Sequence, residues 1–181
     1  AELIANKNMR CNNDKRTLLV SATPHYSYLA DILDIDNRDV IEMLSFNNSQ
    51  YQIQFIKYDE KELHNNPFYQ SYANNTFVIS NTAKTAQLSY LFQKDTENSL
   101  LFHSKYKRSD KKYLFNEVYE SFKQDGLQKY EVLRAGPIVQ ASLNISCSHM
   151  ISEMSSPENI LQRLGRLDRF GKNVEVNILQ V

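Results

Sequence analysis

Ser155-Ser156-Pro157-Glu158-Asn159-Ile160-Leu161-Gln162-Arg163-Leu164-Gly165-Arg166-Leu167-Asp168-Arg169-Phe170-Gly171 is the stretch from which the rest of the chain can be read. Its local chemistry predicts a helix. Ser156 is a good N-cap, Pro157 has no N–H to lose at the first helical position, and Glu158 meets the positive end of the helix dipole. Gly171 readily takes the left-handed conformation that ends a helix. Ile160, Leu161, Leu164, Leu167 and Phe170 recur every three or four residues and form one apolar stripe. Gln162, Arg166 and Arg169 recur at the same period on another face, while Arg163 is turned about 100° away from Gln162. Guanidinium forks match phosphate oxygens bidentately and keep their charge, and a glutamine can orient a water or a phosphate oxygen. The predicted helix is buried along one side and offers one amide and two guanidiniums to a polyanion.

Outward from this helix, strand-like and helix-like segments alternate. Val174 to Val181 follows it as a β-rich run. Before it come His149-Met150-Ile151, Tyr130-Glu131-Val132-Leu133, Ser99-Leu100-Leu101-Phe102 and Thr76-Phe77-Val78-Ile79-Ser80, all short runs of buried-strand type. Asn81-Thr82 offers caps for a helix from Ala83 to Gln93, with Leu88, Leu91 and Phe92 as its inward stripe. Ser109 can cap a second helix, whose apolar face is Leu114, Phe115, Val118, Tyr119 and Phe122 and whose end is Gly126. This alternation implies an α/β domain, a three-layer arrangement of a mostly parallel sheet with helices on both faces. Farther upstream, Tyr51 to Tyr58 reads as a strand and residues 59–75 as a loop or poorly packed excursion. Residues 25–46 read as one or two short helices, and Thr17-Leu18-Leu19-Val20 as a strand followed by Ser21-Ala22-Thr23-Pro24.

Composition narrows the partners. With 181 residues the chain suffices for one α/β domain. Its 21 Lys and Arg balance 21 Asp and Glu, so nucleic acid must be held by local patches rather than a global field. Cys11 and Cys147 are isolated, with no CxxC or Cys/His spacing, so a metal site is not expected and a reducing, cytoplasmic setting is. No apolar run approaches membrane-spanning length.

Gln162-Arg163-Leu164-Gly165-Arg166-Leu167-Asp168-Arg169 resembles the Q-R-x-G-R-x-x-R motif of superfamily 2 helicases, which lies in their second RecA-like domain. Ser21-Ala22-Thr23-Pro24 resembles the S-A-T-P motif at the end of their first. The resemblance implies a RecA-like fold, with residues 1–24 as the tail of the first domain and a linker, and 25–181 as the second RecA-like domain. It also implies that Arg166 and Arg169 reach across a cleft to the phosphates of ATP, that Gln162 positions the γ-phosphate or attacking water, and that Ser21 and Thr23 serve interlobe coupling. No G-x-x-x-x-G-K-[ST] occurs among the four glycines, so the phosphate loop and the acidic Mg²⁺ motif are expected on a first lobe outside this chain.

The other motifs resemble a narrower family, the CRISPR-associated helicase-nuclease of type I systems. Ser80-Asn81-Thr82 lies where a strand gives way to a helix, where amides and hydroxyls make a phosphate seat; in that family the Asn-Thr pair lies beside bound DNA. His103-Ser104-Lys105-Tyr106 with Asp110-Lys111 resembles its H-S-R-F and D-R segments, and Lys105, Lys107, Arg108, Lys111 and Lys112 form a basic patch suited to a sugar–phosphate backbone. Ser80, Asn81, Thr82, His103, Ser104, Lys105, Arg108 and Lys111 are thus the expected nucleic-acid residues. Residues 134–146 resemble T-Q-x-x-E-x-S-L-D-I-D in altered form: Gly136-Pro137 replace Thr-Gln, Gln140 replaces Glu, and Asn144 and Ser146 replace two aspartates. The resemblance places Asn144 near the ATP ribose. The implied partners are single-stranded nucleic acid, DNA first, the other lobe, a nuclease domain and a CRISPR effector complex. The implied function is the C-terminal lobe of an ATP-dependent helicase or translocase in type I interference. The alternative, carried by the altered 134–146 segment, is a helicase-like binding module without motor activity.

Overall fold

A computed structural model describes residues 31, 40–41, 49–59, 62–93, 97–140 and 143–181. The chain divides into two compact units, Ala1–Phe46 and Asn47–Val181, and the sheet with its helices belongs to the second. The expectations for residues 1–24, Ser21 and Thr23 among them, lie outside the described residues, as do all but Asp31, Val40 and Ile41 of residues 25–46.

Six strands form one sheet: β1 (Tyr51–Gln54), β2 (Thr76–Ile79), β3 (Ser99–Phe102), β4 (Val132–Ala135), β5 (His149–Ser152) and β6 (Asn177–Gln180). Every pairing is parallel, in the order β1-β6-β5-β2-β4-β3. The helices are α1 (Ala83–Phe92), α2 (Arg108–Phe122) and α3 (Pro157–Leu164). The expected RecA-like α/β architecture is therefore the observed one. Strand β4 starts two residues later than expected because Val132, not Tyr130, pairs with Thr76.

Side-chain alternation gives the sheet two faces. On one, Phe77, Leu100, Leu133 and Met150 pack with Val118 and Phe122 of α2 and Ile160 of α3. Phe77 meets Phe122 edge-to-face at 5.1 Å, the favoured aromatic geometry. On the other face, Val78, Val132 and Ile151 pack with Phe68, Tyr69 and Tyr72. Of the stretch expected as a loose excursion, residues 62–75 pack against the sheet: Phe68 and Asn66 are buried, and Asn66 Oδ1 accepts the Phe68 N–H at 2.9 Å.

A fully buried arginine explains that packing. Arg134 points into the second face, where its Nη1 donates to Phe68 O at 2.6 Å and to Ser89 Oγ at 2.7 Å, and its Nη2 to Gln70 O at 2.5 Å. Burial lowers its pKa to about 10, so it stays charged at neutral pH. This guanidinium overturns the expected stripe of α1. The helix turns Ala86 and Ser89 inward to meet it and leaves Leu91 and Phe92 exposed. On α2, Lys107 occupies the N-cap and Ser109 instead bonds Asp110, while Phe115 and Tyr119 are partly exposed.

Arg134→Ala strips three acceptors of their donor. At about 1–3 kcal/mol for each buried unmet group, partly relieved by relaxation, the loss of stability is expected to be about 3 kcal/mol. Arg134→Lys, with no fork, is expected to recover less than half of it. Urea unfolding midpoints measure both, and an unchanged midpoint for Arg134→Ala would refute this account of the second face.

Candidate functional site

In an all-parallel sheet the carboxyl ends of the strands share one edge, the usual place for ligand-binding loops in open α/β sheets. Here β2 delivers Ser80-Asn81-Thr82 to that edge, β3 delivers His103-Ser104-Lys105, β4 delivers Gly136, and β5 delivers Glu153. Thr82 caps α1, its Oγ1 accepting the Thr85 N–H at 3.0 Å. Ser80 is buried and its hydroxyl has no hydrogen-bond partner among the described residues. Ser104, Lys105 and Arg108 are exposed and Lys111 is half-buried, so the basic patch borders this edge.

His103 is placed differently from the rest of that patch. It is buried, stacked on Tyr106 at 4.1 Å, with Nδ1 accepting the Lys105 N–H at 3.2 Å and Nε2 lying 2.9 Å from the Gln87 carboxamide. Burial holds its pKa below the ordinary histidine value. The ring shapes the loop that presents Ser104 and Lys105.

The arginine segment departs from its expected geometry. Helix α3 starts as expected, with Ser156 as N-cap and Pro157 first, but ends at Gly165 rather than Gly171. Beyond Gly165, Leu167 bridges to Cys147, and Asp168 takes a left-handed φ of 45°. Ser49, Asn177 and the amides of Lys172 and Asn173 surround the Asp168 carboxylate. Although burial pushes its pKa up, these bonds outweigh burial and hold it below the ordinary carboxylate value. The helical period therefore does not join Gln162 to Arg166 and Arg169.

Each expected contact residue has its own surroundings. Gln162 is exposed. Arg166 is nearly buried, with Nε donating to Val139 O at 3.3 Å and Nη2 to Gln140 O at 3.0 Å. Burial, then repulsion from Arg169, lowers its pKa. Arg169 donates through Nε to Asn144 Oδ1 at 2.5 Å and through Nη1 to Gly165 O at 2.9 Å. The structure thus gathers Asn144, Arg166 and Arg169 beside the Cys147–Leu167 bridge, and gathers Ser80, Asn81, Thr82 and His103 at the strand ends.

Arg163 joins the two groups, against the expectation that it points away from the working surface. It is 1% exposed. Its Nη1 donates to Ser152 Oγ and Glu153 O, both at 2.7 Å, and its Nη2 to Asn81 Oδ1 at 2.7 Å. With the Gln140 carboxamide oriented oxygen-inward, that oxygen accepts from Nε at 2.5 Å and Nη2 at 2.7 Å.

Residues 72–172 span both groups and match the family described as "CRISPR-associated nuclease/helicase Cas3, C-terminal". The chain belongs to this family. A relative from Methanocaldococcus jannaschii, described as a putative CRISPR-associated nuclease/helicase Cas3, is 31% identical over 102 residues. That alignment covers 55% of this chain and 14% of the relative, so the chain spans a small part of the curated protein it matches. Among solved structures, the T. fusca Cas3-ATP crystal structure is 20% identical with a TM-score of 0.62, over 80% of this chain and 20% of that one. S. cerevisiae Dbp5 bound to RNA and ADP BeF3 is 17% identical with a TM-score of 0.69, over 99% of this chain and 48% of that one.

For this Cas3-like domain, sequence reasoning missed Arg163, Gln140, Glu153 and Asp168. A signal for Arg163 was present. It follows Ile160 by three residues and precedes Leu167 by four, inside the apolar stripe, whereas Leu161 is 53% exposed.

Two expectations follow. Lysine cannot reproduce the fork of Arg163, so Arg163→Lys should lower the melting temperature by about 5–10 °C, corresponding to about 2–3 kcal/mol. Arg169→Lys, in a more exposed setting, should shift it by less than about 2 °C; calorimetry would expose a reversed order. The second concerns acid. Because folding lowers the His103 pKa, the unfolded chain binds a proton more readily. Stability must then fall as pH drops through the unfolded value of about 6.5. A His103→Gln variant should lose that part of the pH slope, read from urea midpoints between about pH 5.5 and 7.5.

Proposed function

We propose that this chain is the second RecA-like lobe of an ATP-dependent helicase or translocase directed at DNA in type I CRISPR interference. One observation carries the reading: Arg169, Arg166 and Asn144 stand together at the family's arginine motif, with Arg169 held by Asn144 at 2.5 Å. Guanidiniums so placed can offset charge on a transferring phosphate, an effect that reaches about 10³-fold or more in rate. Arg169 is the better placed to reach across a cleft, since the more deeply buried Arg166 would first have to leave three main-chain carbonyls. Gln162, exposed on the last turn of α3, would orient the γ-phosphate or the attacking water.

ATP suits this donor set, which has two guanidiniums, an amide and the exposed Asn144 side chain for the ribose. When bound, ATP with Mg²⁺ supplies the free energy that drives opening and closing of the lobes. Among the described residues no group of His, Cys, Asp or Glu is arranged to hold a metal, so Mg²⁺ ligands would come from the first lobe. Single-stranded DNA would run along the carboxyl edge past Ser80, Thr82, Ser104, Lys105, Arg108 and Lys111. The neighbours support these assignments by what they hold. T. fusca Cas3 has been crystallised with ATP and with ADP, Dbp5 with RNA, and another neighbour is a CRISPR RNA-guided surveillance complex. A nuclease domain and such a complex are the proposed partners. A cytoplasmic setting is part of the proposal; among the described residues no helix is long and apolar enough to cross a membrane.

A second reading, a binding module without motor activity, draws on the altered segment, where Gly136 and Asn144 lack the hydroxyl and carboxylate of the family pattern. At 136 the backbone leaves room for a Cβ, which would meet its nearest neighbour, His103 Cβ, at an ordinary 3.5 Å.

The 181-residue chain alone is expected to hydrolyse no ATP. In the longer protein carrying the first lobe, Arg169→Lys is expected to lower DNA-stimulated kcat by about 100-fold or more, with a smaller change in KM. Full turnover by a stably folded Arg169→Lys would refute the motor assignment. A wild-type protein that binds DNA and ATP without turnover, and gains it with Gly136→Thr plus Asn144→Asp, would establish the second reading.

A further inference from the structure

The Ser80–Thr82 turn lies on the expected nucleic-acid edge, yet the polar groups of its central residue are mostly committed within the protein. The Asn81 N–H donates to Glu153 Oε2 at 2.5 Å, its Nδ2 donates to Met154 O at 2.6 Å, and its Oδ1 accepts from Arg163 Nη2 at 2.7 Å. Of its side-chain and amide donors, only the second Nδ2 hydrogen is left for a phosphate. Its neighbours are set differently: Ser80 is buried, with no partner for its hydroxyl among the described residues, and Thr82 is the exposed N-cap of α1, its Oγ1 accepting the Thr85 N–H.

From Asn81 the bonds continue inward without a gap. Arg163 is gripped on the far side by the Gln140 side-chain oxygen at 2.5 and 2.7 Å. The main-chain oxygen of the same Gln140 accepts from Arg166 Nη2 at 3.0 Å. The Arg166 N–H in turn donates to Arg163 O at 2.8 Å. A planar, fully bonded guanidinium cannot stretch. Any shift of the β2–α1 turn must therefore break the Asn81 bond or carry Arg163 and Gln140 with it.

Resting on the motor reading above, we infer that Asn81 is a positioning residue rather than a nucleic-acid ligand, and that Asn81–Arg163–Gln140 links strand binding at the carboxyl edge to the setting of Arg166. The exposed Thr82 then senses the strand, and the link reports its presence to the arginine segment. Loss of the link uncouples the two events without abolishing either. The reporting step is conformational and makes or breaks no covalent bond.

The test uses the longer protein with both lobes, a single-stranded oligonucleotide and ATP. Oligonucleotide affinity is read by fluorescence anisotropy, and ATPase with and without oligonucleotide. Asn81→Ala is expected to cut the stimulation ratio by about tenfold, within the usual range of coupling between sites, while Kd rises by less than about threefold. Gln140→Ala, which leaves the main-chain oxygen for Arg166, should lose stimulation to a similar extent. The double variant should be no worse than either single one, because both break the same link. A tenfold rise in Kd for Asn81→Ala would make Asn81 a direct ligand and overturn the inference. So would undiminished stimulation in either variant, or additive losses in the double one. If Asn81→Ala does not fold, Asn81→Ser with Gln140→Ala decides by the same readings. Arg169→Lys in the same assay separates the levels: its loss of turnover beside intact stimulation in Asn81→Ala sinks the link alone, whereas its full turnover sinks the motor reading and the link together.

Discussion

A charged fork sealed at the edge of the sheet governs the arrangement of the site. Arg163 has five N–H donors, and five bonds meet them: two from Nη1, two from Nη2 and one from Nε. Burying an unmet charge costs several kcal/mol even after relaxation. The three segments that supply acceptors, at residues 81, 140 and 152–153, are therefore tied to one another through it. Burial lowers the arginine's pKa, and the Glu153 carboxylate opposes that shift. The strand-end loops do not hang separately from β2, β4 and β5; they share a cation.

Arg134 plays the corresponding part on the opposite face, with a less complete set of partners. Its Nε finds no acceptor among the described residues, and Tyr72 lies under its guanidinium at 5.9 Å. The two buried arginines account for the otherwise puzzling choice of inward residues. Helix α1 turns Ser89 rather than Leu91 to the sheet because a cation waits there, and α3 turns Arg163 rather than Leu161 because three segments need a donor. Each exchange sacrifices apolar burial, about 1.5–3 kcal/mol for a leucine. It avoids the greater cost of an unmet charge.

The arginine motif, contiguous in sequence, performs three separate tasks in space. Arg163 binds the loops together, and Arg166 leans on the main chain of residues 139–140. Arg169 rests on Asn144, where the family pattern has an aspartate. Asp168, within the same run, anchors the turn that takes the chain into β6. This division follows from ending the helix at Gly165. A continued helix would have carried Leu167 away from Cys147 and broken the bridge that fixes Arg166 and Arg169 beside Asn144.

By itself the sequence determined the elements and the family. Thr76–Ile79 and Ser99–Phe102 are short, apolar and bounded by turn residues, so no other conformation buries them as well. Alternation with helices then demands a parallel sheet. Ser156 and Pro157 fixed the start of α3 because capping is chemistry within one turn. Only the tertiary structure decided where α3 stops, which way α1 faces, and what holds Asn81. The acceptors and donors concerned lie far along the chain: Cys147 for Leu167, Arg134 for Ser89, Glu153 and Arg163 for Asn81. Periodicity reports how much of a segment is apolar and at what spacing. It carries no record of a buried polar group from another element, and such a group, being costly to leave unmet, overrides it.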